Sequence, residues 1–284
     1  MTTKNPKTIG IIGGTGAMGK WFAKFFKEQG YNVLISDVKT KLTNKELASK
    51  SDVVIFSVPI DKTESVIKEV APFAKSGSLL TDLTSIKEAP IKAMLTAPKN
   101  IEVIGMHNIF GPTVPSIQGQ TVVLCPARGK NWLPWLKNVL TKQGARIKIT
   151  TAKKHDQAMG VVQALTHFTA ITTGMVLKEL NIDIKENLSF VSPVYRLSMD
   201  EVGRILAQNP NIYADIAILN PYGRKTIKAY LKVCEELFDA ISKKDKEGFV
   251  KNFNAASKHL GDFPKRALEE TNFLLGMLDG KTKD

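Results

Sequence analysis

The chain has 284 residues, 43% of them hydrophobic and 24% charged, which are the proportions of a globular protein long enough for two domains of ordinary size. Its formal charge of +13 is uneven: residues 1–150 hold 21 Lys/Arg against 10 Asp/Glu, and the remainder holds 19 against 17. The excess is spread singly over predicted helix faces, without a basic block or interleaved aromatics, which argues against nucleic-acid binding and for a solvated surface that steers anions inward.

Cys125 and Cys234 lie far apart and match neither a disulfide framework nor a zinc spacing, so both are expected to be reduced core thiols and no metal site is expected. No apolar run is read as long enough to span a membrane, and the N-terminal Met-Thr-Thr-Lys-Asn-Pro lacks a signal peptide's apolar core. A cytoplasmic protein is expected.

Residues 8–37 carry the first motif. A β-branched run enters Gly14-Thr15-Gly16-Ala17-Met18-Gly19, helix formers follow over 17–29, and a second strand over 32–36 ends in Asp37. The glycines have separate tasks: Gly14 for the turn, Gly16 for close approach of a pyrophosphate, and Gly19 for packing of the helix on the strand. Phosphates would meet the helix's free N–H groups and positive end. Asp37 is placed to accept both ribose hydroxyls, which favours NAD over NADP; Lys39 and Lys41 are the residues that could take a 2′-phosphate instead.

A short helix over 44–49 precedes the buried strand 52–59, whose terminal Ser57-Val58-Pro59 is expected to line the cofactor ribose. Helix 61–70, strand 78–82, helix 90–95 and strand 101–106 continue the alternation, which predicts an α/β doubly wound, mostly parallel sheet of Rossmann type. The turns at 15–18, 58–60, 84–87 and 107–112 gather on one rim. There His107 is a candidate general base beside a nicotinamide, since its ordinary pKa near 6.5 leaves neutral imidazole available. Thr84 and Ser85 from the neighbouring turn could hold its tautomer. Strands over 120–125 and 145–150, with helix 131–142 between them, close the region, and the domain boundary is placed near residue 150.

From 153 onward the chain reads as helix: 153–179, 184–187, 190–208, 212–219, 222–242 and 246–278. The apolar stretch 159–177 predicts an all-α domain over 151–284 that pairs with a second copy. His167 sits among apolar neighbours, while Arg196 and Arg204, eight residues apart, are read as sharing a helix face, where they could form a carboxylate fork, although their spacing alone favours surface salt bridges. His155 and His259 read as solvated helix residues without a role.

The segments Ile12-Gly-Gly-Thr-Gly-Ala-Met-Gly19, Ser57-Val-Pro-Ile60, Asp82-Leu-Thr-Ser-Ile-Lys87, Gly105-Met-His-Asn-Ile-Phe-Gly-Pro112, Lys154-His-Asp-Gln157, Gln163-Ala-Leu-Thr-His-Phe168, Ser192-Pro-Val-Tyr-Arg-Leu197, Val202-Gly-Arg204 and Tyr213-Ala-Asp215 resemble those of the prephenate/arogenate dehydrogenase family over almost the whole chain. The resemblance implies an NAD-dependent oxidative decarboxylation of prephenate to 4-hydroxyphenylpyruvate in tyrosine biosynthesis. It also implies that His107 is catalytic with Ser85 as its hydrogen-bonding partner, that His167 and Arg204 face the substrate with Arg204 on a carboxylate, and that Gln163, Arg196 and Tyr213 lie near. This chain has His107-Asn-Ile-Phe-Gly-Pro where many relatives read His-Pro-Met-Phe-Gly-Pro. With seven residues ahead of the first strand, the chorismate mutase domain of some relatives is expected to be absent.

Arogenate dehydrogenase is the nearest alternative. A β-hydroxyacid dehydrogenase would want a catalytic lysine on the first long helix of the second domain, where Gln163 and His167 stand instead. A non-catalytic NAD(H)-binding redox sensor would leave His107 and Arg204 unexplained. A hydroxyphenyl pocket could also accept tyrosine as a feedback inhibitor.

Overall fold

Seven apolar runs pair into one sheet in the computed structural model, which describes residues 6–279. The order is β2-β1-β3-β4-β5-β6-β7, built from β1 (Thr8–Ile12), β2 (Asn32–Ser36), β3 (Val53–Phe56), β4 (Leu79–Asp82), β5 (Glu102–Asn108), β6 (Thr121–Arg128) and β7 (Arg146–Ile149). All neighbours are parallel except β5 and β6. β3 and β4 are buried along their full length, as strands covered on both faces must be.

Helices α1 (Ala17–Glu28), α2 (Asn44–Lys50), α3 (Ile60–Val70), α4 (Glu88–Met94) and α5 (Trp132–Thr141) cover those faces. Phe22 and Phe26 of α1 pack with Leu136 and Leu140 of α5 on one side; Leu47, Ile67 and Met94 from α2, α3 and α4 pack on the other. Local signals set the starts: Thr43 and Glu46 form a reciprocal capping box ahead of α2. The crossover from β1–β2 to β3 leaves a crevice at the strand ends, where such sheets bind ligands.

β5 runs two residues beyond its predicted end. His107 pairs with Val123 and Asn108 with Val122 of β6, so both belong to a strand rather than to the loop after it. The antiparallel partner supplies ladder positions that the local sequence does not announce.

By packing, the first unit continues through α6 (Ala152–Met159) to Val162 and takes back Ala214–Gly223. α6 rests on α4, while Asn220 and Tyr222 hydrogen-bond to the Asp156 carbonyl (3.0 Å) and to Glu88 (2.8 Å).

The second unit comprises Gln163–Tyr213 and the chain from Arg224 onward. Its elements are α7 (Thr166–Glu179), α8 (Ile184–Asn187), α9 (Pro193–Leu206), the start of α10 (Pro210–Leu219), α11 (Gly223–Ser242) beyond its first residue, α12 (Lys246–Leu260) and α13 (Phe263–Asp279). The single helix predicted over 246–278 is two, because Gly261 adopts φ +60 and ends the hydrogen-bond ladder. α9 begins at Pro193 behind the capping Ser192, later than predicted. Its small core joins Ala170 of α7 to Val202 and Ile205 of α9, while Phe190, Phe238, Phe253 and Phe273 stand exposed.

α6, a π-helical segment (Gly160–Leu165) and α7 run on as one helix, Ala152–Glu179. By length and composition alone it is apolar enough to cross a membrane, which corrects the expectation that no run reaches that length. Thr, Ala and Gly between the larger side chains suit it equally to packing against another protein surface.

Candidate active site

The glycine loop follows β1 and ends in a helix whose first N–H groups have no side-chain cap and no acidic residue in the first turn. That is an open anion site. The turn's positive φ (+77) falls on Gly13 rather than on Gly14, a correction to the predicted division of labour. Gly14 is needed for packing: a Cβ there would lie 2.3 Å from Ile35 Cγ2 of β2. At Gly19 a Cβ would meet the Gly13 carbonyl at 2.3 Å, so α1 closes on the loop that follows β1 rather than on the strand itself.

Gly13, Thr15, Gly16, Asp37, Ser57, Val58 and Pro59 come together around a cleft of about 460 Å³ that Lys62 and Val66 complete. Asp37 Oδ2 accepts from the Thr15 N–H (3.0 Å) and hydroxyl, and Oδ1 from the Val38 N–H (2.8 Å). Burial raises its pKa, but those hydrogen bonds outweigh burial and hold it below the ordinary carboxylate value. Uncapped helix end, glycine cradle and anchored carboxylate fit an NAD pyrophosphate and ribose. Ala17 is exposed at the helix start, and Met18 lies 4.0 Å from Asn108 Nδ2.

His107, 2% exposed, lies at the C-terminal end of β5. Its Nδ1 is 2.8 Å from His155 Nε2, and His155 Nδ1 is 2.7 Å from Asp156 Oδ1. The partner at Nδ1 is therefore His155, a residue to which the sequence reading gave no role. The reading of His155 as a solvated residue is wrong: it is 2% exposed, in the first turn of α6 behind the capping Thr151, with its ring against His107 of β5. The signal available was the His-Asp pair inside Lys154-His-Asp-Gln157, directly after the last strand. His259 is exposed, as read.

Burial, then the neighbouring His155 and Lys87, push the His107 pKa well below its ordinary 6.5, so the ring is neutral at physiological pH. Lys87 is itself fully buried. It pairs with Asp82 and donates to the Met106 carbonyl (2.9 Å) and Thr84 Oγ1 (3.3 Å). The Thr84 hydroxyl also reaches Asp82 and the Ile86 carbonyl (2.9 Å), so its side chain belongs to this network. Asn108 donates to the Phe110 carbonyl (2.7 Å). Burial pushes the Cys125 thiol up to about 12, consistent with an inert core cysteine, and Cys234 is half-buried.

The second unit gathers three of its predicted residues. The His167 and Tyr213 rings meet edge-to-face at 4.7 Å. Burial raises the Tyr213 pKa and the nearby Arg204 charge opposes it, which puts the guanidinium close to the phenol. Burial lowers the His167 pKa, and among the described residues its buried Nδ1 has no hydrogen-bond partner. Arg204 is exposed. Gln163 lies in the π-helical segment. Arg196 is elsewhere, in an exposed pair with Asp200 at 3.0 Å. Eight residues turn a helix by about 80° past two full turns, so Arg196 and Arg204 do not form a fork.

Residues 25–149 match the family model described as prephenate dehydrogenase, nucleotide-binding domain, and residues 151–255 match its dimerization domain. The chain is 45% identical to a probable arogenate/prephenate dehydrogenase of Methanocaldococcus jannaschii over 91% of its length, spanning 62% of that protein. It is 37% identical to the T-protein of Enterobacter agglomerans, covering 95% of this chain and 72% of that one. A crystal structure of prephenate dehydrogenase from A. aeolicus with hydroxyphenyl propionate and NAD+ has the same fold, with a TM-score of 0.72 at 19% identity over 90% of this chain and 97% of that one. An uncapped glycine-loop helix, a buried imidazole at a strand end and two adjoining family matches agree: the chain belongs to the prephenate dehydrogenase family.

Proposed function

We propose that the chain converts prephenate and NAD+ to 4-hydroxyphenylpyruvate, CO2 and NADH, with residues 1–150 binding the dinucleotide and 151–284 serving substrate binding and dimerisation. The observation that carries this reading is His107, a buried neutral imidazole at the end of β5 whose Nδ1 is already engaged. Nicotinamide, when bound, supplies the hydride acceptor. His107 takes the 4-hydroxyl proton as C4 loses hydride, and returns it once loss of the ring carboxylate leaves a phenolate. Arg204 holds a substrate carboxylate, with His167, Tyr213 and Gln163 as its companions.

Asp37 favours NAD, because a 2′-phosphate would face a carboxylate held in place by Thr15 and Val38. Relatives named as NADP(+) enzymes keep the alternative concrete, and the exposed Lys39 and the neighbouring Lys41 are where it would act. Exposed apolar side chains of the helical unit are assigned to a homodimer interface. A site made for a hydroxyphenyl product also takes tyrosine as an inhibitor. The enzyme works in the cytoplasm, where Cys125 and Cys234 stay reduced.

Arogenate is the second reading, favoured by the name of the M. jannaschii relative. Steady-state assays of prephenate and arogenate, each with NAD and NADP, decide both questions. Prephenate with NAD is expected to give the highest kcat/KM; turnover of neither substrate would overturn the assignment.

A further inference from the structure

We propose that His155 and Asp156 form a positioning relay that places the proton of neutral His107 on Nδ1 and leaves Nε2 as its basic nitrogen. The inference rests on reading His107 as the base, and it follows from counting donors and acceptors. Asp156 is fully buried, and its Oδ1 and Oδ2 accept the backbone N–H groups of Lys87 (2.7 Å) and Glu88 (2.9 Å). Its carboxylate thus acts as the acceptor, and His155 Nδ1, 2.7 Å away, is the donor. In the relay His155 is the neutral form, whose one N–H is spent on Asp156, so its Nε2 offers a lone pair. That lone pair faces His107 Nδ1 at 2.8 Å, so the His107 proton sits on Nδ1. The rings meet at 73° with centroids 5.0 Å apart, as an in-plane hydrogen bond from one imidazole to the next requires.

A free imidazole in water prefers the opposite tautomer, with its proton on Nε2. In that form His107 would present a donor to the substrate hydroxyl and could not take its proton. The relay reverses the preference. As Nε2 takes the substrate proton, the Nδ1–H of His107 remains bonded to His155, so the ring keeps its orientation through turnover, and Asp156 stays a carboxylate. Among the described residues, other titratable groups near this region are Lys87 and Asp82, which pair with each other, Cys125, whose thiol is kept neutral, and Tyr222, which donates to Glu88 beside Asp156. Residues His155 and Asp156 touch neither substrate nor cofactor in this scheme; they act through His107.

Imidazole 15N spectra test the relay without substrate. The chain has four histidines, so single-histidine variants assign the spectrum. In the wild-type protein His107 Nδ1 is expected to resonate as pyrrole-type and Nε2 as pyridine-type. His155→Phe keeps the ring volume and removes the acceptor. It is expected to shift His107 toward the Nε2–H tautomer and to lower kcat about 100- to 1000-fold, within the range of general-base catalysis, with KM for prephenate and NAD little changed. His155→Gln, whose amide oxygen reaches the position of Nε2, should restore most of the tautomer and the rate. A wild-type spectrum with the proton on Nε2 overturns the relay, even if His155→Phe fails to fold; so does wild-type kcat in a folded His155→Phe. The expected spectrum together with undiminished turnover in His107→Asn would instead leave the relay standing and remove the base assignment.

Discussion

His107 and Arg204 are assigned to one reaction, yet their surroundings are opposite. The imidazole is buried among paired groups: His155, Asp156, two backbone N–H groups and the nearby Lys87–Asp82 ion pair. The guanidinium stands exposed on α9 within electrostatic reach of Tyr213, whose ring packs on His167, and the unit that carries it has a small core and many bare apolar side chains. The contrast separates two ways of building a site. A group that must move a proton has its orientation set before substrate arrives, whereas a group that must hold a charge can take its final geometry from the ligand.

The sharpest way to break the comparison is His107→Asn. It should lower kcat by roughly two to four orders of magnitude, the range for a positioned base, while NAD binding followed by calorimetry stays intact; wild-type turnover would remove the buried site from the mechanism. Lys87→Met should cost about 3–5 kcal/mol in denaturant unfolding, because it strands the buried Asp82 charge. The double variant Asp82→Asn/Lys87→Met should recover part of that loss, and an unchanged midpoint in the single variant would show that the pair carries no scaffold role. Arg204→Ala should raise KM for prephenate about 10- to 100-fold, as expected for loss of a charged hydrogen bond, with kcat changed less. Arg196→Ala should leave both constants in place, since that side chain is engaged with Asp200 in solvent.

The smallest effect is on pH. His107 is held neutral in the folded chain, with a pKa below its ordinary 6.5. As pH falls below 6.5 the unfolded chain binds a proton that the folded chain does not, so stability should decline toward the folded pKa. The acid limb of kcat/KM should likewise lie below pH 6.5. In His107→Asn the corresponding part of the Tm–pH slope should vanish, and an unaltered slope would point to another group.

Much of the architecture was legible because its signals are local. Gly19 packs against Gly13 as the fingerprint requires, and buried β3 and β4 read as apolar runs. The antiparallel pairing that draws His107 and Asn108 into β5 was not legible, since it depends on where β6 arrives from across the sheet. His155 was missed for the same kind of reason: on its own helix it looks like any polar residue, and its burial comes from β5. Arg196 was overread, since spacing along a helix translates into a shared face only when the angle is counted.

From the residues alone came the αβ alternation, the dinucleotide loop with its acid at Asp37, the helical second half and the family likeness, all carried by neighbours within a few tens of positions. Packing alone decided which nitrogen of His107 is engaged, that Lys87 lies near it, and that Arg204 lies within electrostatic reach of Tyr213. Periodicity and motifs record short-range preferences, whereas a proton's place on a ring depends on donors and acceptors that only folding brings within 3 Å of one another.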